Sequence, residues 1–205
     1  SILSDLLRVG GLKFYYDGAL GSDGALLSQN YAGQNHCGLR VFALSKIEEI
    51  MHRCWEQNIP VAIHTLGDEA VHQVVQVAHG LKAKGLDGKL NLEHCELVRD
   101  ETISLMKSLN VHCHLQPSHF LSDRRWLKEK LGTLYQYCFP WKKLIDAGIA
   151  VSFGSDSPIE VPSLIRTRMA LQQASQEGIA LPPLAEPLLL HSHPDVSWGP
   201  DCVTK

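Results

Sequence analysis

Hydrophobic positions along the chain switch between two periods, and the switching predicts strands alternating with helices. Short apolar runs at residues 12–17, 60–64, 89–94, 111–116 and 149–153 read as five strands. Between them apolar residues recur at helical spacing. Leu44, Ile47, Ile50, Met51, Cys54 and Trp55 form one such face, on a helix starting at Ser45, where Glu48 completes a capping box. Ala70, Val71, Val74, Val75, Ala78 and Leu81 form the next, over residues 68–84, ended by Gly85 and Gly88. Asp100 caps a third helix, which carries Ile103, Leu105, Met106 and Leu109. Pro117 stops the fourth strand, and residues 122–132 read as a wet, charged segment before a helix over 141–147. Residues 163–177 form the last helix, and the Pro-rich text after Gly178 carries no assignable element.

Strands alternating with helices mean parallel βαβ units, and nearly continuous apolar strands suit a sheet covered on both faces. Doubly wound sheets and TIM barrels share this pattern. No Gly-rich phosphate loop follows the first strand, and polar residues recur at the C-terminal ends of several strands, which favours the barrel. The expected fold class is therefore α/β, a partial TIM (β/α)8 barrel of about five βα units. Residues 1–178 form the incomplete barrel, and 179–205 form a Pro-rich C-terminal tail. A full barrel needs eight strands and about 250 residues. Either the sheet is open or the chain is part of a longer one.

Composition narrows the class without choosing a chemistry. The 205 residues suffice for one substantial core, and 44% apolar with 20% charged residues is ordinary for a globular domain. A net charge of −3 gives no electrostatic case for nucleic acid or for a membrane surface. No apolar run approaches the roughly 18 residues of a membrane span, and the first five residues carry no signal-peptide pattern. Six cysteines without a CxxC pair read as reduced, buried thiols of a cytoplasmic protein. Eleven histidines are many for this length, and several fall on strands.

Two of those histidines and one aspartate end strands. The segments are Val61-Ala62-Ile63-His64, Asn91-Leu92-Glu93-His94 and Val151-Ser152-Phe153-Gly154-Ser155-Asp156. In a parallel barrel all three side chains reach one rim, where imidazoles and a carboxylate make a site for a divalent metal such as zinc. That points to a metal-dependent hydrolase. The plainer alternatives are a buried imidazole satisfied by backbone for His64 and His94, and a turn cap for Asp156. Glu93 alternates to the opposite face from His94 and reads as structural, and Cys95 is discounted as a nucleophile on the same ground. His112-Cys113-His114 spells HxH, with both imidazoles on one face, and His191-Ser192-His193 lies in the tail.

Gly11-Leu12-Lys13-Phe14-Tyr15-Tyr16-Asp17-Gly18, Ala62-Ile63-His64-Thr65-Leu66-Gly67-Asp68-Glu69-Ala70-Val71, Leu92-Glu93-His94-Cys95, Leu115-Gln116-Pro117-Ser118-His119 and Gly154-Ser155-Asp156-Ser157-Pro158 follow in this order. As a set they resemble the amidohydrolase superfamily, specifically its amidohydrolase-3 branch, which includes N-substituted formamide deformylases. The resemblance implies a metal-binding barrel that hydrolyses C–N bonds of amide- or formamide-like small molecules. It implies His64 and His94 as metal ligands, and Asp156 as both ligand and general base. It places Lys13 where the family has a lysine, which ligates only once CO2 has carboxylated it. Strand-end lysines also pair simply with carboxylates. Asp17 and Asp68 read as capping or supporting residues, and Gln116 and His119 as lining a substrate pocket or a solvated loop.

The chain departs from that pattern at one place: no histidine precedes Lys13, so the family's HxH has no counterpart. The expectation is a fragment running from the fourth barrel strand to the eighth. Residues 195–201 would begin the return into a small β domain. The loops at 18–40 and 120–132 are the expected specificity determinants. The rival reading is a non-catalytic truncated barrel whose open sheet edges pair with another chain, a homo-oligomer included. A third is a one-metal hydrolase using His64, His94 and Asp156 alone.

Overall fold

A computed structural model describes residues 2–4, 7–8 and 10–181. A short antiparallel pair, β1 (Ile2–Ser4) and β2 (Leu7–Arg8), stands apart from the main sheet. The main sheet contains β3 (Leu12–Tyr15), β4 (Val61–Thr65), β5 (Leu90–His94), β6 (Val111–Leu115) and β7 (Ala150–Phe153). All four pairings are parallel, and the strand order follows the chain without a reversal. A doubly wound sheet reverses its order at a switch point, whereas a barrel wall does not. The sheet is an arc of the barrel type, as the strand-end polar residues predict.

Helices α1 (Leu44–Glu56), α2 (Asp68–Ala83), α3 (Asp100–Met106), α4 (Pro117–Leu131), α5 (Trp141–Asp146) and α6 (Leu164–Gln176) join the strands in succession. Val61, Ile63, Leu90, Leu92, Val111, Cys113 and Leu115 from the strands share one buried cluster with Met51, Val74, Ile103, Phe120, Leu144 and Leu171 from the helices. By alternation, the other strand face carries Lys13 and Tyr15, Ala62 and His64, Asn91 and Glu93, His112 and His114, and Ser152. The strands are therefore apolar on one face only. Their inner face is polar, which corrects the expectation of two apolar faces.

Three local expectations change. Residues 117–131 are helix rather than a charged, wet loop, so most of the 120–132 specificity loop is helical. Pro117 opens this helix instead of merely ending a strand, because its fixed φ suits the first turn. Phe120, Leu127 and Leu131 are buried at helical spacing while Arg125, Lys128 and Glu129 stay outside. The capping box also fails: α1 begins one residue earlier, with Ala43 at the cap and no side-chain cap bond. Asp100 lies inside α3, whose cap position is Arg99. The expected tail, with residues 195–201, His191 and His193, falls outside the described residues.

Residues 18–40 have no regular structure yet are firmly packed, with Leu20, Ala25, Leu26, Leu27 and Tyr31 buried. The Asp17 carboxylate accepts the backbone N–H groups of Leu26 (3.0 Å), Leu66 (3.0 Å) and Gly67 (2.9 Å). It thereby ties the loop to the turn that starts α2. The approach is so close that a Cβ on Gly67 would lie 1.9 Å from the Leu26 carbonyl oxygen. Gly67→Ala should thus destabilise the fold by about 3 kcal/mol, since the clash is with backbone. Gly80, inside α2, has open space around its missing Cβ, and Gly80→Ala should stabilise by about 0.5–1 kcal/mol. Urea unfolding of the two variants measures both signs.

Candidate active site at the strand ends

Strand register sets the layers of the inner face. Tyr15 lies beside His64, His64 beside Glu93, Glu93 beside His114, and His114 beside Ser152. One layer thus contains a phenol, two imidazoles, a carboxylate and a hydroxyl. Tyr15 stacks on His64 with ring centroids 4.7 Å apart. The Lys13 ammonium sits 4.9 Å above the Tyr15 ring, one layer down and at the open edge of the sheet.

His94 would face the helices if β5 kept strict alternation. Instead His94 and Cys95 adopt φ of 75° and 45°, in the left-handed region that favours glycine. The turn brings the His94 ring to 4.5 Å from that of His64, edge to face. Glu93 and His94 consequently serve the same side, and the expectation that Glu93 faces away is corrected. Cys95 remains fully buried, and burial, with the Cys113 thiol beside it, holds its own thiol well above the usual range. It is no nucleophile.

Both site imidazoles are held neutral. Burial pushes His64 down to about 4, the Lys13 charge adds to this, and a hydrogen bond to the Gly18 backbone opposes it. Burial and the neighbouring His64 and His119 rings drive His94 well below its ordinary value. The Nδ1 of His94 lies 2.9 Å from Gln116 Oε1, while Gln116 Nε2 donates to the His114 carbonyl at 3.1 Å. With the amide orientation fixed by that second bond, Nδ1 must carry the proton, and Nε2 keeps its lone pair. Gln116 is buried and orients His94.

The remaining candidates group around this core. His119, in the first turn of α4, stacks on His94 at 6.0 Å, and burial lowers its pKa despite the Asp156 and Glu160 charges. Asp156 follows β7 with φ of 56° and acts electrostatically on both His119 and Glu93. Burial pushes the Glu93 carboxyl up to about 7, against the pull of Lys13 and with that of Asp156. Lys13 also acts on His64 and His94.

The HxH pair is occupied elsewhere. The His112 and His114 rings stack at 4.2 Å, and His114 meets Ser152 Oγ at 2.7 Å and Asn91 Oδ1 at 3.4 Å. Asp17 and Asp68 support the site from outside. Asp68 accepts the Ser28 N–H at 3.1 Å and lies 3.4 Å from Arg99 Nε.

Register and ring contacts bring His64, His94, His119 and Glu93 together, and Lys13 and Asp156 reach them through their charges. Among the described residues, no three His, Cys, Asp or Glu side chains close around a single point in a way that could hold a metal ion. Glu93 and the Gln116 link were both missed from sequence. The first hides behind an alternation that His94 breaks, and nothing in the dipeptide His94-Cys95 announces a left-handed turn. The second could have been found, because Gln116 lies immediately before the Pro that starts a helix.

The chain is similar to known proteins. The chain is 31% identical over 176 residues to YtcJ of Bacillus subtilis (strain 168), whose name as an amidohydrolase is provisional, covering 83% of this chain and 33% of that one. It is 26% identical over 159 residues to the N-substituted formamide deformylase of Arthrobacter pascens, covering 76% of this chain and 29% of that one. The crystal structure of an uncharacterized metal-dependent hydrolase from Pyrococcus furiosus superposes with a TM-score of 0.73 at 29% identity, covering 82% of this chain and 35% of that one. The chain therefore spans about a third of the length of these relatives. Residues 3–171 match the family model described as the amidohydrolase family, and the chain belongs to that family.

Proposed function

We propose that these residues carry the metal-binding and proton-transfer part of a hydrolase that cleaves C–N bonds of amide- or formamide-like small molecules. The observation that carries this reading is the His94–Gln116 hydrogen bond. It fixes one imidazole nitrogen as a donor to the protein and leaves the other as a lone pair, the usual condition of a metal-ligating histidine. His64, neutral and tied to the Gly18 backbone, is prepared in the same way. The donor chemistry fits a divalent ion, zinc being the natural choice for imidazole and carboxylate together. The metal-dependent hydrolase of similar fold and the deformylase support the metal and the bond type respectively.

In this reading His64 and His94 hold the ion and Asp156 is both ligand and general base. A bound divalent ion would polarise the scissile carbonyl and acidify a water toward neutrality. The Asp156 carboxylate takes the proton of the attacking water and delivers it to the departing nitrogen, so one group serves two steps. Asp156, in the turn after β7, acts electrostatically on His119 and Glu93. His119 lines the substrate side, as does the loop of residues 18–40. Lys13 enters the ligand set only as a CO2-carboxylated, anionic side chain.

No helix among the described residues is long and apolar enough to cross a membrane. The free cysteines among the described residues, four of them buried, support a reducing, cytoplasmic setting. A second reading, a non-catalytic barrel segment that docks on another copy, draws on exposed apolar side chains. Ile159 and Ile165 are 70% and 73% exposed, and β3 and β7 end the sheet. A monomer in sedimentation with amidase activity eliminates it.

After exhaustive dialysis the protein should retain about one equivalent of metal by elemental analysis, and His64→Ala should lose it. Gln116→Leu should leave the ligands in place but weaken metal affinity by about 10–100-fold, because His94 loses the partner that fixes its tautomer. Asp156→Asn should reduce hydrolysis of simple amides by at least about 100-fold while circular dichroism stays unchanged. Unchanged turnover in that variant rules out Asp156 as the base.

A further inference from the structure

Away from the strand ends, α4 and the loop of residues 18–40 enclose a cleft of about 470 Å³. Trp126, Glu129 and Lys130 line one wall, on a single face of α4, and Asp23, Tyr31 and Gln34 line the other. The walls are tied to each other. The Ala32 N–H donates to the Lys130 carbonyl at 3.0 Å, and Gln29 Nε2 donates to Thr133 Oγ1 at 2.8 Å. His64, His94 and Asp156 lie outside this lining, and Trp126 stands about 10 Å beyond His119 along the helix axis. The cleft is preformed and of a size that takes a small molecule.

The charges of the lining decide which molecule. Lys130 is fully engaged: its ammonium donates to the Leu20 and Gly21 carbonyls at 3.0 and 2.9 Å and pairs with Asp23 at 2.6 Å. An anion would therefore find none of its three protons free. Glu129 is exposed and has no salt-bridge partner among the described residues, so its carboxylate is the lining charge left uncompensated. It stands in the last turn of α4, where the carbonyl end of the helix adds negative potential. The rings of this cleft already stabilise positive charge, since the Lys130 ammonium sits 4.7 Å over Trp126 and 6.0 Å over Tyr31. Among the described residues no group of three His, Cys, Asp or Glu could hold a metal ion, which leaves an organic cation. We propose that the cleft binds a small ammonium compound carrying an apolar or aromatic substituent. The ammonium meets Glu129 and the substituent lies against the Trp126 indole. This site stands independently of the metal reading above.

The test is titration with 2-phenylethylamine, with uncharged 2-phenylethanol and anionic 3-phenylpropionate as controls. Calorimetry reads affinity, and NMR follows the Trp126 indole N–H, assigned by its loss in Trp126→Phe. The amine should bind saturably and shift that signal, with the alcohol at least about 10-fold weaker and the carboxylate weaker still. Glu129→Gln, a change at an exposed position, should bring the amine down to the affinity of the alcohol. No saturable binding of the amine overturns the proposal, and so does equal affinity for amine and alcohol. An amine preference that survives Glu129→Gln overturns it as well. Amine binding that leaves the Trp126 signal in place puts the ligand elsewhere and also overturns it.

Discussion

A single buried carboxylate holds the site's surroundings in place. Asp17 follows β3, and its oxygens accept N–H groups from the loop at Leu26 and from the β4–α2 turn at Leu66 and Gly67. Burial raises this carboxyl to about 7 even though the three backbone donors pull in the opposite direction. The compensation lets the chain keep a nearly inaccessible acid beneath the rim. Everything at the end of β4 inherits this geometry. His64 lies two residues before Leu66, and the Gly18 backbone that bonds to its ring lies one residue after Asp17.

A second constraint is the division of the sheet into unlike faces. The outer face joins the helices in one continuous apolar cluster, while the inner face gathers imidazoles, amides, a carboxylate and an ammonium. Burying those groups costs free energy unless they bind one another, and most do. Asn91 donates to the Val61 carbonyl and faces His114, which meets Ser152. The rim differs from this satisfied interior. His64 and His94 are kept neutral, His94 has one nitrogen committed and one spare, and the Glu93 oxygen has no donor. His64, His94 and Glu93 lie where the strands end, which is where barrels place chemistry.

Helix α4 links the two constraints. It begins directly after Gln116, so its first turn carries His119 over His94, and its far end returns to the loop after β3. There the Lys130 ammonium donates to the Leu20 and Gly21 carbonyls and pairs with Asp23 at 2.6 Å. The segment looks solvated because charges fill one side of it. Its apolar positions, Phe120, Leu127 and Leu131, are few but spaced for one face, and they suffice once Pro117 sets the first turn.

The sequence by itself determined the five parallel strands, the helices between them apart from α4, and the identity of the strand-end residues. Periodicity and strand-end placement are local properties, and His64, His94 and Asp156 could be found without coordinates. Tertiary structure alone decided which side each of them serves. The left-handed backbone at His94 rotates its ring toward His64 and leaves Glu93 on the same side. Alternation is a property of an ideal strand, and the last residue of a strand obeys its neighbours instead. The same holds for the protonation pattern. Whether an imidazole is neutral depends on burial and on charges from other strands, such as Lys13, which sequence spacing cannot supply.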